Sequence, residues 1–220
     1  PVVRSIKTDD KVVFLTIDDG VSADPKVMDI IRKTGIPVTP FLTKSEISGS
    51  KDYYKQISEM TGQTVQDHTI THPQMTGLSA DGQQKQICEP AASYTDWFGA
   101  KPWMFRPPYG EFNKVTQQAA KACGMDYIVL WNASLPKAYI RYAQGDKLKP
   151  GDIILTHWRP DLYKHLPRTQ RHPAAGVQGR SSAGLPSSSH AVAARVPQCA
   201  HPIRRECAKL TGNIPSTLLD

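Results

Sequence analysis

KVVFLTIDDG, residues 11–20, is the stretch whose reading decides the fold. The apolar and β-branched run over 11–17 predicts a strand buried on both faces, as the strands of parallel sheets are. The run then ends in two adjacent carboxylates, Asp18 and Asp19, and in Gly20. Taken alone, such a triplet is most often a turn with a helix cap. Two negative charges closing a buried strand make sense only if groups that need them lie close by, so the rest of the chain has to supply those groups.

Working outward, DPKVMDIIRKT (24–34) predicts a helix, with Asp24 as cap, Pro25 at its first position and Gly35 closing it. IPVTPFL (36–42) predicts a second strand, which Pro37 and Pro40 weaken or place at a sheet edge. Helical patterning returns at 52–61, and GQTVQDH (62–68) predicts a short strand running into a loop. A longer helix is predicted over 79–98, opened by Ser79; PWMFRPPYG (102–110) predicts a strand ending in a turn; a helix follows over about 113–123, which Gly124 ends. MDYIVLW (125–131) and DIILTH (152–157), separated by a loop, are the last strands. This alternation predicts an α/β fold, a mostly parallel sheet or barrel with helices outside, whose functional groups gather at the C-terminal strand ends. Asp18, Asp19, His68, Arg106, Trp131 and His157 all fall at those ends.

HTITHP (68–73) answers the carboxylates. On a helical turn His68 and His72, four apart, would project from one face and converge on one metal ion. Two histidines and a carboxylate are a common ligand set for a hydrolytic metal with open positions, leaving the other member of the Asp pair free as a base toward water. Alone, an HxxxH pair is more often a satisfied structural pair; its agreement with Asp18-Asp19 at an equivalent strand end reverses that preference.

The net charge of +7 does not argue for a nucleic-acid partner. Through Tyr163, the last aromatic residue, there are 19 Lys+Arg against 18 Asp+Glu; the remaining 57 residues hold 8 against 2. The excess therefore belongs to a tail without aromatics for base stacking. No run approaches the roughly 20 apolar residues of a membrane-spanning helix. The opening at Pro1, without a charged-then-apolar leader, carries no argument for the cytoplasm. None of the four cysteines forms a CxxC pair, which argues against a zinc ribbon. Cys88 and Cys123 lie on helical-looking segments, where a disulfide and two small buried thiols are equally open readings.

LTIDDG, HTITHP, FRPPYG and IILTH, in this order and at these spacings, resemble the successive motifs of the polysaccharide deacetylases, the NodB-type domains of carbohydrate esterase family 4. The resemblance covers about residues 9–163. It implies a distorted, incomplete (β/α) barrel and a metal-dependent hydrolase that removes acetyl groups from N-acetylglucosamine units of a chitin- or peptidoglycan-type polymer. Carried over by residue, it implies Asp19, His68 and His72 as ligands of one divalent metal, zinc by expectation, with cobalt or nickel as other candidates. Asp18 is then the catalytic base, His157 the general acid, and Arg106 the partner that keeps Asp18 ionised. The backbone N–H of Tyr109 would hold the oxyanion, and Trp131 with Leu155 would wall a slot for the acetyl methyl. A secreted or envelope-associated monomer acting on acetylated polysaccharide is expected.

The chain also departs from the family pattern. Ile17 stands where phenylalanine is frequent, a tolerable apolar exchange. After Trp131, NASLPKAY lacks the nearby aspartate that tunes the acidic histidine, leaving Asn132 and Ser134 as the nearest polar candidates. DLYKHLPRT (161–169) reads as the start of a helix, after which Pro, Gly, Ser and Arg predominate. The expected division is a catalytic domain over 9–168 and an atypical, disordered basic tail over 169–220, the pattern a shifted reading frame would leave. A natural tail that binds anionic wall polymer is the rival expectation. Two other functions remain open: an O-acetyl esterase on acetylxylan, and a non-catalytic wall-carbohydrate-binding protein, which would need neither the base Asp18 nor the acid His157.

Overall fold

The computed structural model describes residues 1–136 and 139–166. The expected tail, 169–220, lies outside the described residues. Elements follow in the order β1 (Val2–Val3), β2 (Phe14–Asp19), α1 (Pro25–Thr34), β3 (Thr39–Leu42), α2 (Lys44–Ile47), α3 (Lys51–Thr61), β4 (Gln66–Asp67), α4 (Ala80–Phe98), β5 (Met104–Phe105), α5 (Lys114–Ala122), β6 (Tyr127–Val129), β7 (Ala133–Ser134), β8 (Arg141–Tyr142) and β9 (Ile153–His157). Among the described residues the strands form one curled sheet in the order β1-β6-β5-β4-β3-β2-β9-β7-β8. All pairs are parallel except β7 with β8. This is an open α/β half-barrel, as the alternation predicted.

The strand read first lies between β3 and β9 and is buried on both faces up to Asp18. Its outward residues, Leu15 and Ile17, join the core that packs α1 and α3 against the sheet. Its inward residue Phe14 packs with Phe41, Val129 and Ile153 on the concave side. A third cluster, built on Ile87, Ala91, Phe105, Ala119 and Ile128, fixes α4 and α5 over β5 and β6.

The caps agree with the sequence reading. The Asp24 carboxylate accepts from the Lys26 N–H, Ser79 accepts from the Gly82 N–H, and Gly35 ends α1 in the left-handed conformation. The placement of β3 does not agree. It is an interior strand between β2 and β4, not an edge. The Leu42 carbonyl accepts from His68 on the β4 side, so Pro40, two residues earlier, also faces β4. Pairing with β4 begins only at Phe41 opposite Gln66. The donor that Pro40 lacks would have had no ladder partner there. Beyond β9 the chain makes a 3-10 turn at Leu162–Lys164 and is helical at Leu166; the rest of the expected helix start, 167–169, lies outside the described residues.

Cys88 of α4 and Cys123, the residue after α5, form a disulfide, which decides between the two readings of that pair. Closing a loop across a sequence separation of 35, it should add about 2–4 kcal/mol of stability by restricting the unfolded chain. Reduction, or Cys88→Ser with Cys123→Ser, should lower the melting temperature by roughly 5–15 °C in a domain of this size. Calorimetry with and without reductant checks this; an unchanged melting temperature would show that the bond contributes nothing.

Candidate metal centre

In a regular strand Asp18 and Asp19 would face opposite sides of the sheet. Asp19 breaks the alternation with φ 77°, a left-handed backbone uncommon outside glycine. Its carboxylate is thereby brought into the same cluster of charges as Asp18. Gly20 follows with φ 106°, and a Cβ there would sit 2.3 Å from Ile47 Cγ2. Only glycine fits the third position of the triplet.

Arg106 fills the concave side beneath the rim and is fully buried. It donates to Asp18 Oδ1 at 2.6 Å, Thr16 Oγ1 at 2.8 Å and the carbonyls of Val129 and Leu130 at 3.0 and 3.4 Å, and it lies over the Phe41 ring. Burial pulls the guanidinium below its ordinary pKa, and the Asp18 charge opposes that shift. A buried ion pair of this kind holds one oxygen of Asp18 and turns the other toward His68 Nε2, 3.6 Å away.

Asp19 points differently. Its Oδ1 is buried without a hydrogen-bond partner and lies 3.5 Å from His68 Nε2 and 3.6 Å from His72 Nε2. The three donor atoms lie within 4.8 Å of one another. Two ligands about 2.1 Å from one tetrahedral ion sit roughly 3.4 Å apart, so Asp19, His68 and His72 could hold a metal. The tautomer agrees. His68 Nδ1 lies 2.6 Å from the Arg106 carbonyl and donates to it, which leaves the Nε2 lone pair facing the carboxylates.

The electrostatics call for a positive charge at the same point. Burial disfavours protonated His68, but Asp18 and then Asp19 outweigh it and hold the imidazole above its ordinary pKa. For Asp19, burial alone would raise the pKa; His68 foremost, with the charges of His157 and His72, holds it below the ordinary value. His72 is held below its ordinary value by burial and by His68. Beneath them, burial pushes the Asp67 carboxyl well above the carboxylate range, with only the Thr69 N–H opposing.

His68 and His72 do not share a helical turn, as their spacing suggested. Residues 68–72 form an irregular loop in which Thr69 (φ 74°) and His72 (φ 55°) are left-handed, and the two rings stack edge-on at 4.9 Å. The convergence is correct and its cause is different. Tyr109, also left-handed at φ 62°, sits in the turn Pro108–Gly110; the residue is 64% exposed and its ring packs on His72 at 4.8 Å. Trp131 packs on Gly110. Register places Leu155 beside Thr16 and His157 beside Asp18, on the concave face. Asn132 does not stand in for the missing aspartate: its amide donates to Asp152 Oδ1 at 3.0 Å.

Sequence reading missed Gln86, which hydrogen-bonds the loop between the two histidines. It sits mid-helix among other glutamines, with no motif to single it out.

An open half-barrel with an Asp–His–His donor set at its carboxyl rim belongs with the folds of carbohydrate esterase family 4. The profile of that family, polysaccharide deacetylase, matches residues 5–128, and the chain belongs to it. The chain is 39% identical over 158 residues to an uncharacterized protein of Streptomyces coelicolor, covering 70% of this chain and 62% of that one. It is 28% identical over 153 residues to a bifunctional xylanase/xylan deacetylase of Cellvibrio japonicus (66% and 22% covered). It is 33% identical over 134 residues to a peptidoglycan-N-acetylglucosamine deacetylase of Listeria monocytogenes (60% and 28%). The chain thus spans less than two thirds of these relatives. In fold it is similar to a family 4 pseudoenzyme from Bacillus anthracis (TM-score 0.65, 24% identity, 76% and 61% covered). It is likewise similar to a family 4 esterase from Streptomyces lividans (TM-score 0.61, 24% identity, 76% and 92% covered).

Proposed function

We propose that this chain is an active, metal-dependent N-deacetylase of N-acetylglucosamine units in a peptidoglycan- or chitin-type polymer. A pseudoenzyme shares the fold, so activity has to be argued from this chain's own residues. The observation that carries it is the division of labour within the Asp pair: Asp18 is held by Arg106, while the orphaned Asp19 Oδ1 faces two imidazole nitrogens.

Asp19, His68 and His72 would hold the ion. A divalent metal there supplies Lewis acidity toward the acetyl carbonyl and lowers the pKa of water. Asp18, with one oxygen neutralised by Arg106 and the other directed at the donor cluster, takes the proton from the attacking water. The Tyr109 N–H, in its left-handed turn, donates to the developing oxyanion. His157, beside Asp18 on the neighbouring strand, protonates the amine, without which nitrogen leaves poorly. Trp131 and Leu155 exclude water around the acetyl methyl. Zinc is the expected metal.

The similarity to a xylan deacetylase keeps O-acetyl removal from xylan as the second reading, since the same residues would serve it. Acetate release from chitooligosaccharides, peptidoglycan and acetylxylan, after chelation and with zinc or cobalt restored, separates the readings. Chelation should abolish release and metal should restore it; release that survives chelation would sink the mechanism. His68→Ala or His72→Ala should weaken zinc affinity at least tenfold, on the order of losses seen when a site's support is removed. Calorimetric titration reads this, and unchanged affinity in both would place the metal elsewhere.

The Cys88–Cys123 bond and the similarity to a wall-polymer deacetylase support a secreted or envelope location. Among the described residues no helix is long and apolar enough to cross a membrane.

A further inference from the structure

We propose that Gln86, on α4, is a positioning residue for the metal centre, acting through His72. The inference rests on reading Asp19, His68 and His72 as metal ligands. It starts from the loop that joins the two histidines. Left-handed backbone at Thr69 and His72 is unfavourable for residues with a Cβ, so the surroundings have to impose it.

Every N–H group of the loop has a partner, as do three of its carbonyls. The carbonyls of His68, Thr69 and Ile70 accept from Thr43 Oγ1 at 3.1 Å and from the N–H groups of Lys44 and Ser45 at 3.0 and 2.9 Å. Those contacts fix one side of the loop against the start of α2. On the other side, the Thr69 N–H donates to Asp67 Oδ1 at 2.7 Å and the His72 N–H to Thr69 Oγ1 at 3.0 Å. Thr69 belongs to the loop itself and would move with it, and Asp67, at the end of β4, reaches only the Thr69 N–H of the loop.

The two remaining N–H groups, of Ile70 and Thr71, both donate to Gln86 Oε1, at 2.9 and 3.2 Å. Gln86 Nε2 donates in turn to Thr71 Oγ1 at 3.1 Å. One carboxamide from a helix fifteen and sixteen residues away in sequence thus clasps the middle of the loop. Two residues on, Cys88 ties α4 to Cys123, so the clasp is mounted on a covalently braced helix.

The ligands are not equally dependent on this clasp. His68 is held by its own N–H on the Leu42 carbonyl and by Nδ1 on the Arg106 carbonyl, and its side chain is 3% exposed. His72 is 31% exposed, and the bond from its N–H reaches only back to Thr69. Loss of the clasp should therefore release His72 and leave His68 in place.

The test measures zinc affinity by calorimetric titration and the visible spectrum of the cobalt(II) form, on full-length protein stripped of metal. Gln86→Leu keeps the bulk and removes the acceptor; it should weaken zinc binding 10- to 100-fold and alter the cobalt spectrum. Gln86→Glu restores an acceptor for both N–H groups and should bind zinc within about threefold of the native protein, because the bonds and not the charge state are what position the loop. In a His72→Ala background, Gln86→Leu should add little further loss. If Gln86→Leu does not fold, Gln86→Asn, one methylene too short to reach both donors, takes its place. Native-like affinity in the acceptor-less variant overturns the proposal, as does equal weakening by Leu and Glu. Native protein that binds no zinc overturns the metal reading itself, a result distinct from either.

Discussion

Asp18→Asn should lose about 10³-fold in turnover while keeping its zinc, whereas Asp19→Asn should lose the metal first. The magnitude for Asp18 is that of removing a positioned general base, about 4 kcal/mol of transition-state stabilisation. Asparagine keeps an oxygen that can accept from Arg106 Nη1, 2.6 Å from Asp18 Oδ1, so the strand end persists. What it loses is the proton acceptor on the oxygen facing His68. Asp19→Asn instead removes the charge between two imidazole nitrogens, at an oxygen with no other partner. An amide there has to present its oxygen to the ion without the charge that offsets the ion's desolvation. Metal content by mass spectrometry alongside steady-state kinetics on a chitooligosaccharide separates the two. Identical behaviour of the neighbouring mutants would refute the division of roles.

That division shows where the sequence was legible and where it was not. The apolar run before Asp18 could be read as a strand because burial on both faces leaves a period-free hydrophobic signature. The rim could be assembled because polar residues at the ends of parallel strands share one side of the sheet. The left-handed backbone at Asp19 could not be read, since nothing in local composition distinguishes it from a turn. The HxxxH spacing gave the right partners for the wrong reason: i, i+4 proximity is a helix rule, and here tertiary hydrogen bonds to Gln86, Lys44 and Ser45 produce it in a loop. The hairpin β7–β8, with strands of two residues, is too short to carry a period, so 132–150 read as loop. Pro40 signalled an edge because the side of the strand that its missing donor faces depends on register, which one strand alone does not contain.

Arg106→Met should destabilise the protein by about 3–5 kcal/mol, a large share of the 5–15 kcal/mol that holds a domain of this kind folded. The guanidinium is fully buried, and its donors reach Asp18, Thr16 and the carbonyls of Val129 and Leu130. Removing it strands a buried carboxylate and at least one buried carbonyl together. Lysine should not rescue it, because one ammonium cannot span acceptors on β2 and beyond β6 as a planar fork does. The loss should shrink when the carboxylate goes too. In Arg106→Met with Asp18→Leu no uncompensated charge remains, so the double mutant should be less destabilised than the sum of the singles by about 0.5–3 kcal/mol. Urea denaturation of the four proteins, at one pH and with metal chelated, reads the cycle without any contribution from the ion. Additive losses would mean that Arg106 supports the barrel through Thr16, the Val129 and Leu130 carbonyls and the Phe41 ring, and that the pair assigned to activate Asp18 has no energetic basis.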